Sequence, residues 1–109
     1  MRRHKVVITA AAARDLDDIF DYIADHDSIE RADQIVAKLE STVAKLDLLP
    51  DRGVHPRELL AMGNRTYREA HLKPYRIVYR ISETHVNVVV IADGRRDMRT
   101  LLARRLLGA

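Results

Sequence analysis

The sequence predicts an α+β fold: an N-terminal strand, an antiparallel two-helix hairpin packed on a small, mostly antiparallel sheet, and a short C-terminal helix. Two long apolar stripes with helical spacing occupy the first half of the chain. Three short stretches rich in β-branched and aromatic residues follow, separated by turn-forming residues. Because 109 residues are enough for one hydrophobic core but not for two, we expect residues 1–109 to form a single domain.

The first half of the chain is predicted to contain one strand and two helices. β-Branched residues over 4–9 indicate the strand. Thr9 and Ser28 each precede an apolar stripe, so we expect their hydroxyl groups to cap the two helices. The short break between the stripes indicates an antiparallel hairpin, and Pro50 is expected to end its second helix. The stripes comprise Ala12, Leu16, Ile19, Phe20 and Ile23 before the break, and Ala32, Ile35, Val36, Leu39, Val43, Leu46 and Leu49 after it.

The second half of the chain is predicted to form most of the sheet. A loop over 51–56, punctuated by glycine and proline, and one helical turn over 58–63 lead into it. Asp97 is expected to cap a final helix. The three predicted strands span residues 65–72, 75–82 and 84–92.

The middle predicted strand has two faces of different character, because successive side chains of a strand point to opposite sides of the sheet. The face expected to pack against the helical hairpin carries Tyr75, Ile77, Tyr79 and Ile81. The other face, which we expect to remain open, carries Arg76, Val78 and Arg80. An exposed face with an apolar centre and a charged rim usually binds a partner.

Positive charge is concentrated at the C-terminal end. Residues 65–109 hold ten Lys+Arg against four Asp+Glu, whereas residues 1–64 hold nine against twelve. Arginine side chains are permanently charged, planar forks of donors, so a converging group of them would bind phosphate or carboxylate groups. Charge alone leaves three explanations open: nucleic acid, an acidic protein partner, or a merely solvated basic face. The residues predicted to form this anion-binding surface are Arg68, Arg76, Val78, Arg80, Arg95, Arg96 and Arg99.

The composition narrows the class of protein. Hydrophobic residues make up 47% and charged residues 32% of the chain, which is typical of a folded globular domain. No apolar run approaches the roughly 18 residues of a membrane-spanning helix, and the apolar stretch near the N-terminus is too short for a signal peptide. The absence of cysteine excludes disulfides and cysteine-ligated zinc. We therefore expect a cytoplasmic protein.

The sequence offers no motif for a metal, a nucleotide cofactor or an activated serine. No two histidines have the i, i+4 spacing of a helical metal site, and no glycine-rich loop precedes a helix. The three serines lie in capping, helix-surface or turn contexts, which does not support a catalytic triad. We therefore expect neither a metal nor a cofactor. The histidines are His4, His26, His55, His71 and His85.

Several motifs together resemble a known family. They are ProAspArgGly (50–53), TyrArgGlu (67–69), ProTyrArgIleValTyrArg (74–80), GlyArgArgAsp (94–97) and LeuLeuAlaArgArgLeuLeu (101–107). In this order, with the strand and helical hairpin before them, they resemble the RelE/ParE superfamily of bacterial toxins from type II toxin–antitoxin, or plasmid stabilisation, systems. The resemblance covers nearly the whole chain. It implies a growth-arresting toxin that a cognate antitoxin neutralises, with the predicted anion-binding surface facing the target or the antitoxin.

The resemblance implies one of two activities. RelE-like members are ribosome-dependent mRNA endonucleases that use a cluster of basic residues and often a C-terminal tyrosine or histidine. Arg68, Arg76 and Arg96 match basic positions of that pattern, but a further basic position falls on Ala70 and the tyrosine position on Leu102. Arginine, with a pKa above ~12, transfers protons poorly.

The incomplete nuclease pattern favours the ParE-like branch, whose members poison DNA gyrase without catalysis by the toxin. The expected partners are therefore a cognate antitoxin and DNA gyrase. The alternative is an enzyme, a ribosome-dependent endoribonuclease acting on mRNA, with Arg68, Arg76 and Arg96 as its catalytic cluster. A third possibility is a basic nucleic-acid-binding module without toxicity.

Overall fold

The computed structural model of the protein describes residues 3–108, so the outermost residues of the predicted 1–109 domain lie outside this range. Four strands and four helices follow one another in the predicted order. They are β1 (Lys5–Ile8), α1 (Ala10–His26), α2 (Ile29–Ala44), α3 (Arg57–Leu60), β2 (Tyr67–Leu72), β3 (Tyr75–Ile81), β4 (His85–Asp93) and α4 (Met98–Leu106). Two 3-10 turns, Lys45–Asp47 and Pro50–Arg52, connect α2 to α3.

The four strands form one sheet in the order β1-β4-β3-β2. The β2–β3 and β3–β4 pairs are antiparallel, whereas β1 lies parallel to β4. The helical hairpin separates β1 from β4 in sequence, which provides the long connection that a parallel pair requires. The predicted α+β fold with a mostly antiparallel sheet is confirmed.

All three predicted helix caps are present. Thr9 Oγ1 accepts a hydrogen bond from the amide of Ala12 at 3.3 Å, and Ser28 Oγ accepts one from Arg31 at 3.0 Å. At the third helix, an Asp97 carboxylate oxygen accepts from the amide of Thr100 at 3.2 Å. Each cap satisfies a backbone donor that the first helical turn leaves free, which fixes where α1, α2 and α4 begin.

The first hydrophobic core lies between the helical hairpin and one face of the sheet, as predicted. Ile77 and Tyr79 of β3 are completely buried in it, and Tyr75, Ile81, Ile19 and Ile35 pack at its edge. Phe20, Ile23 and Val36 of the predicted stripes are only partly buried. The buried members are Ala12, Leu16, Leu39, Val43, Leu46, Ile77, Tyr79, Val86, Val88 and Ile91.

The end of the second predicted helix is different from the prediction. Helix α2 ends at Ala44, and the chain continues through the 3-10 turn Lys45–Asp47 rather than as helix up to Pro50. Leu49 has a left-handed backbone conformation, with φ at 54°, and its side chain is 40% exposed. The inclusion of Leu49 in the apolar stripe is therefore wrong, because the backbone turns before that residue reaches the core.

The opposite face of the sheet is covered, which contradicts the predicted open face. Helices α3 and α4 pack on it and form a second hydrophobic core. Val78 is completely buried in this core, beneath Leu59 of α3 and Leu102 of α4. The full set of buried members is Leu59, Val78, Val90, Ala92, Met98 and Leu102. Among residues 3–108, no helix is long and apolar enough to cross a membrane.

A β-bulge in β4 changes which side chains of this strand face each of the two cores. The register passes from Val78↔Val90 to Tyr79↔Val88, which leaves Val89 as an extra residue. As a result, Val88 and Ile91 face the first core, while Val89 and Val90 both contact the second.

Candidate functional site

The predicted convergence of the arginines on one surface is wrong, because Arg68 lies on the side of the helical hairpin. Two residues further along β2, Ala70 contacts the first core, and alternate residues of a strand share a face. Arg68 Nη1 donates to the carbonyl oxygen of Gly53 at 2.8 Å and to that of Asp51 at 3.1 Å. Arg68 therefore holds the 51–53 segment against the sheet.

Arg76 lies in a nearly buried network of charged side chains. Its Nη1 and Nη2 donate to the two carboxylate oxygens of Glu58 at 2.8 and 2.7 Å, and its Nε donates to Glu69 at 2.7 Å. His71 Nε2 lies 3.2 Å from the other carboxylate oxygen of Glu69. The hydrogen bonds from Arg76 lower the pKa of Glu58 from 4.5 to about 2. The same pairing with Glu58 raises the pKa of Arg76.

This network removes Arg76 from the predicted anion-binding surface. One guanidinium group faces two carboxylates, so the local charge does not attract an anion. Gly94 makes room for the arginine side chain, because a β-carbon at that position would lie 2.7 Å from Arg76 Cδ. The expectation of an exposed Arg76 next to an accessible Val78 is therefore wrong. Arg76 is bound by carboxylates, and Val78 is buried.

The other predicted arginines are exposed. Arg80 and Arg99 make no side-chain hydrogen bond or ion pair with the residues described here. Arg95 is bound to Asp93, with its Nη2 and Nε donating at 2.6 and 3.0 Å. This pairing lowers the pKa of Asp93 and raises that of Arg95. Arg96 is exposed in the loop that follows β4.

The positions that match the nuclease pattern do not all lie on one face of the sheet. Arg68 and Arg76 lie on opposite faces of the sheet, and Arg96 lies in the loop that follows β4. Ala70 packs against the first core, and Leu102 is completely buried in the second. A side chain at position 102 therefore does not face a substrate. Residues 3–108 contain no group of three or more His, Asp or Glu side chains arranged to hold a metal.

One cavity was not anticipated from the sequence. It is a groove of about 490 Å³ between α1 and the neighbouring ends of β3 and β4, which we call the α1 groove. Tyr22, on α1 at its mouth, is 64% exposed, and its ring stacks on His26 with centroids 4.1 Å apart. The only signal in the sequence is Tyr22 itself, an aromatic residue beside the apolar stripe of α1. The lining is Asp15, Asp18, Ile19, Tyr22, Ile23, Tyr75, Ile91, Ala92, Asp93, Arg95 and Arg96.

Comparisons with known proteins agree with this fold. A family model described as the ParE toxin of type II toxin-antitoxin system, parDE, matches residues 6–98. Toxin ParE3 of Caulobacter vibrioides is 27% identical over 101 residues, which cover 93% of this chain and 97% of that protein.

Two solved structures have the same fold. The chromosomal ParDE TA system from P. aeruginosa has a TM-score of 0.71 at 20% identity, covering 84% of this chain and 96% of that chain. The toxin-antitoxin complex RelBE2 from Mycobacterium tuberculosis has a TM-score of 0.63 at 22% identity, covering 85% of this chain and 93% of that chain.

Proposed function

Because this chain belongs to the ParE toxin family of type II toxin–antitoxin systems, we propose that it arrests growth by poisoning DNA gyrase and is neutralised by a cognate antitoxin. The family match covers residues 6–98, which include the helical hairpin and all of the sheet except Lys5. In this proposal the toxin acts by binding, without catalysis of its own. The observation that supports it beyond family membership is that Arg68 and Arg76, which a RelE-like nuclease would bring together, lie on opposite faces of the sheet.

The charges around Arg76 support a non-catalytic toxin. RNA cleavage requires positive charge where the phosphate becomes more negative, together with a base and an acid for proton transfer. Arg76 is neutralised by Glu58 and Glu69, and Arg68 points to the other side of the sheet. Arg68 and Arg76 therefore do not share one accessible surface.

One observation favours the alternative, a ribosome-dependent endoribonuclease. His71 is half-exposed beside Arg76, and a Glu69 carboxylate oxygen lies 3.2 Å from its Nε2. A histidine oriented by a carboxylate is a suitable general base. However, Glu69 lies next to this histidine and, with Glu58, neutralises the neighbouring Arg76, so no excess of positive charge attracts the phosphates of an approaching RNA. Gyrase poisoning therefore remains the function that we propose.

Four arginines of the predicted anion-binding surface are exposed, and we propose that they contact the target or the antitoxin. They are Arg80, Arg95, Arg96 and Arg99. Arg95 is already paired with Asp93, so a partner would have to compete for it. The basic character of residues 65–109 fits an acidic antitoxin segment, because guanidinium–carboxylate pairs are strong, directional contacts. Both structural neighbours come from toxin–antitoxin systems, which supports an antitoxin as the neutralising partner.

The proposal is tested by assaying the purified protein separately with each of the two candidate targets. With DNA gyrase, we expect inhibition of supercoiling and accumulation of cleaved DNA complexes. With translating ribosomes, we expect no codon-phased cuts in mRNA. The control is the same protein premixed with its antitoxin, which should restore supercoiling. Cleavage of mRNA without an effect on gyrase would show that the alternative function, a ribosome-dependent endoribonuclease, is correct.

A further inference from the structure

One end of the sheet face that carries the second core is not covered by helices. The strand register aligns Tyr67, Arg80 and Asn87 in one row across β2, β3 and β4, and Val7 of β1 continues this row. Arg80 is exposed, and Asn87 and Val7 are partly exposed. We call this part of the sheet, from Tyr67 to Val7, the open end.

The open end and the outer surface of α4 carry positive charges that have no partner within the protein. Lys5 lies on the same face as Arg80, because Val6 beside it packs on the first core. Arg99 and Arg104 are exposed on α4 and line one cavity together. These four basic side chains make no hydrogen bond or ion pair with any other residue from 3 to 108. We call Lys5, Arg80, Arg99 and Arg104 the basic side.

Negative charge is concentrated on the other side of the sheet. The helical hairpin, residues 10–44, holds nine Asp+Glu against three Lys+Arg, whereas α4 holds three arginines and no carboxylate. Glu58 and Glu69, near the second core, are nearly buried in an ion-pair network. Glu83 and Asp97 are exposed in the loops next to the basic side. The resulting dipole across the sheet turns the basic side toward a polyanion.

The composition of the basic side fits a nucleic acid better than a protein. Protein interfaces are anchored by apolar and aromatic side chains that become buried on binding. None of the exposed large hydrophobic residues between 3 and 108 lies in the row at the open end, and Met62 alone of them lines the cavity with Arg99 and Arg104. Protein–DNA interfaces are instead polar and strongly positive.

The same surface fits a duplex better than a single strand. Proteins bind single-stranded nucleic acids by stacking the bases on exposed aromatic rings. Tyr67, the tyrosine of the open end, packs against the second core and is only partly exposed. The available contacts are therefore to phosphates, and duplex DNA presents one negative charge per about 1.7 Å of its axis.

We propose that the basic side binds duplex DNA through the phosphate backbone, without recognising the base sequence. Lys5, Arg80, Arg99 and Arg104 pair with phosphate oxygens, and the side-chain amide of Asn87 donates a hydrogen bond to the backbone beside Arg80. This goes beyond the proposed function, whose partners are gyrase and an antitoxin, and it assigns Arg80 and Arg99 to DNA. It would also bring the toxin to the substrate of gyrase.

The test measures binding of the purified protein to a fluorescently labelled duplex of about 20 base pairs and arbitrary sequence, by fluorescence anisotropy from about 50 to about 200 mM salt. The logarithm of the association constant should fall linearly with the logarithm of the salt concentration. Four phosphate contacts predict a slope of about −3.6, so the affinity should fall about 150-fold over this range.

The double variant Arg80→Gln/Arg104→Gln removes two of the four charges. Its slope should be about −1.8, so its affinity should fall only about 12-fold over the same range. The matched control, Arg14→Gln/Arg31→Gln, removes two exposed and unpaired arginines from the helical hairpin and should keep the slope of the wild type. Because all four side chains are exposed, the unfolding midpoints of both variants should stay close to that of the wild type.

Four results would overturn the inference. The first is no binding to the duplex at the lowest salt concentration, and the second is an unchanged slope in Arg80→Gln/Arg104→Gln. The third is an equal decrease of the slope in the hairpin control, which would show an effect of net charge alone. The fourth is tighter binding of single-stranded RNA of the same length, which would assign the basic side to RNA. The assay contains neither gyrase nor antitoxin, so its failure and the failure of the proposed function are distinguishable.

Discussion

Asp15 of α1 and Arg105 of α4 lie 90 positions apart in the chain and form a two-point ion pair, with Nη1 and Nη2 donating at 2.9 and 3.1 Å. Both side chains also bind the backbone of β4. Arg105 Nη2 donates to the carbonyl oxygen of Val89 at 2.8 Å, and Asp15 accepts from the amide of Ile91 at 2.9 Å. Pairing with β1 ends at Val88, so these contacts satisfy strand-edge groups that β1 does not reach.

The Asp15–Arg105 pair should contribute strongly to stability. Arg105→Met leaves the carboxylate of Asp15 largely buried without its partner, and it also removes the donor to Val89. We expect a loss of about 2–4 kcal/mol in unfolding free energy, measured by urea denaturation. The neighbouring exposed residue provides the control: Arg104→Met should change stability by no more than about 0.5 kcal/mol. Equal effects of both substitutions would show that the pair contributes nothing specific.

The first core should depend on its central contacts between helix and strand. Leu39→Ala and Ile77→Ala remove completely buried side chains and leave cavities, so each should lower the unfolding free energy by about 2–5 kcal/mol. Ile29→Ala, at an exposed position of α2, should remain within about 0.5 kcal/mol of the wild type. Near-neutral unfolding midpoints for both core variants would contradict the assignment of the two faces.

Arg76 should be essential for folding rather than for binding. In Arg76→Met, the carboxylates of Glu58 and Glu69 stay nearly buried without the guanidinium, which should cost about 3–5 kcal/mol of stability. Arg80→Met, on the same strand but exposed, should leave the unfolding midpoint almost unchanged. A stable Arg76→Met protein with weaker partner binding would instead support the anion-binding role that the sequence predicted for this residue.

Acid should weaken the fold partly through Glu58. Its pKa is about 2 in the folded protein, against 4.5 as the reference value, so the unfolded chain binds more protons between these pH values. Stability contributed by Glu58 is therefore present above this window and is lost as the pH falls through it. Between about pH 6 and about pH 3, Glu58→Gln should lose less unfolding free energy than the wild type.

The control for this pH effect is Glu83→Gln, which removes an exposed carboxylate in the β3–β4 turn. It should keep the pH dependence of the wild type. Asp93 and Asp97, whose pKa values are also lowered by hydrogen bonds, should leave Glu58→Gln with a smaller slope of the same sign. A slope identical to that of the wild type would show that the Glu58–Arg76 pair persists in the unfolded chain or is absent from the folded one.

Glycine should be required at position 53 because the side chain of Tyr79 occupies the space that a β-carbon would need. The Tyr79 hydroxyl donates to the carbonyl oxygen of Pro50 at 2.5 Å, and a β-carbon on Gly53 would overlap that hydroxyl. We expect Gly53→Ala to lower stability by about 1–3 kcal/mol. In the Tyr79→Phe background the same substitution should cost less, because the hydroxyl is gone. Additive effects in this double-mutant cycle would contradict a steric conflict with the Tyr79 hydroxyl.

The elements that could be predicted from the sequence are those set by local signals. The caps at Thr9, Ser28 and Asp97 and the stripes of α1 and α2 depend on residues a few positions apart. Alternation in β3 likewise assigned Ile77 and Tyr79 to the first core. The end of α2 was predicted less well, because Leu49 keeps the apolar period after the backbone has left the helix.

For the candidate site, the structure bears out only the exposure of some arginines, and their role in binding stays a prediction. Arg80, Arg96 and Arg99 are accessible, as their charge suggests, whereas Arg68 and Arg76 bind groups of the protein itself. The α1 groove was missed because its two sides come from α1 and from the loop after β4. No periodicity within either segment indicates that they meet.

The sequence by itself determined the order of the elements, the helix starts, the faces of β3 and the family, because each depends on residue type and short-range spacing. Only the tertiary structure decided that α4 covers the second face of the sheet, which buries Val78 and Leu102. It also decided that Glu58 and Glu69, not a partner, bind Arg76. The physical reason is that residue type determines only the kind of neighbour that a side chain prefers. Which residue it contacts depends on the packing of segments that are far apart in the sequence.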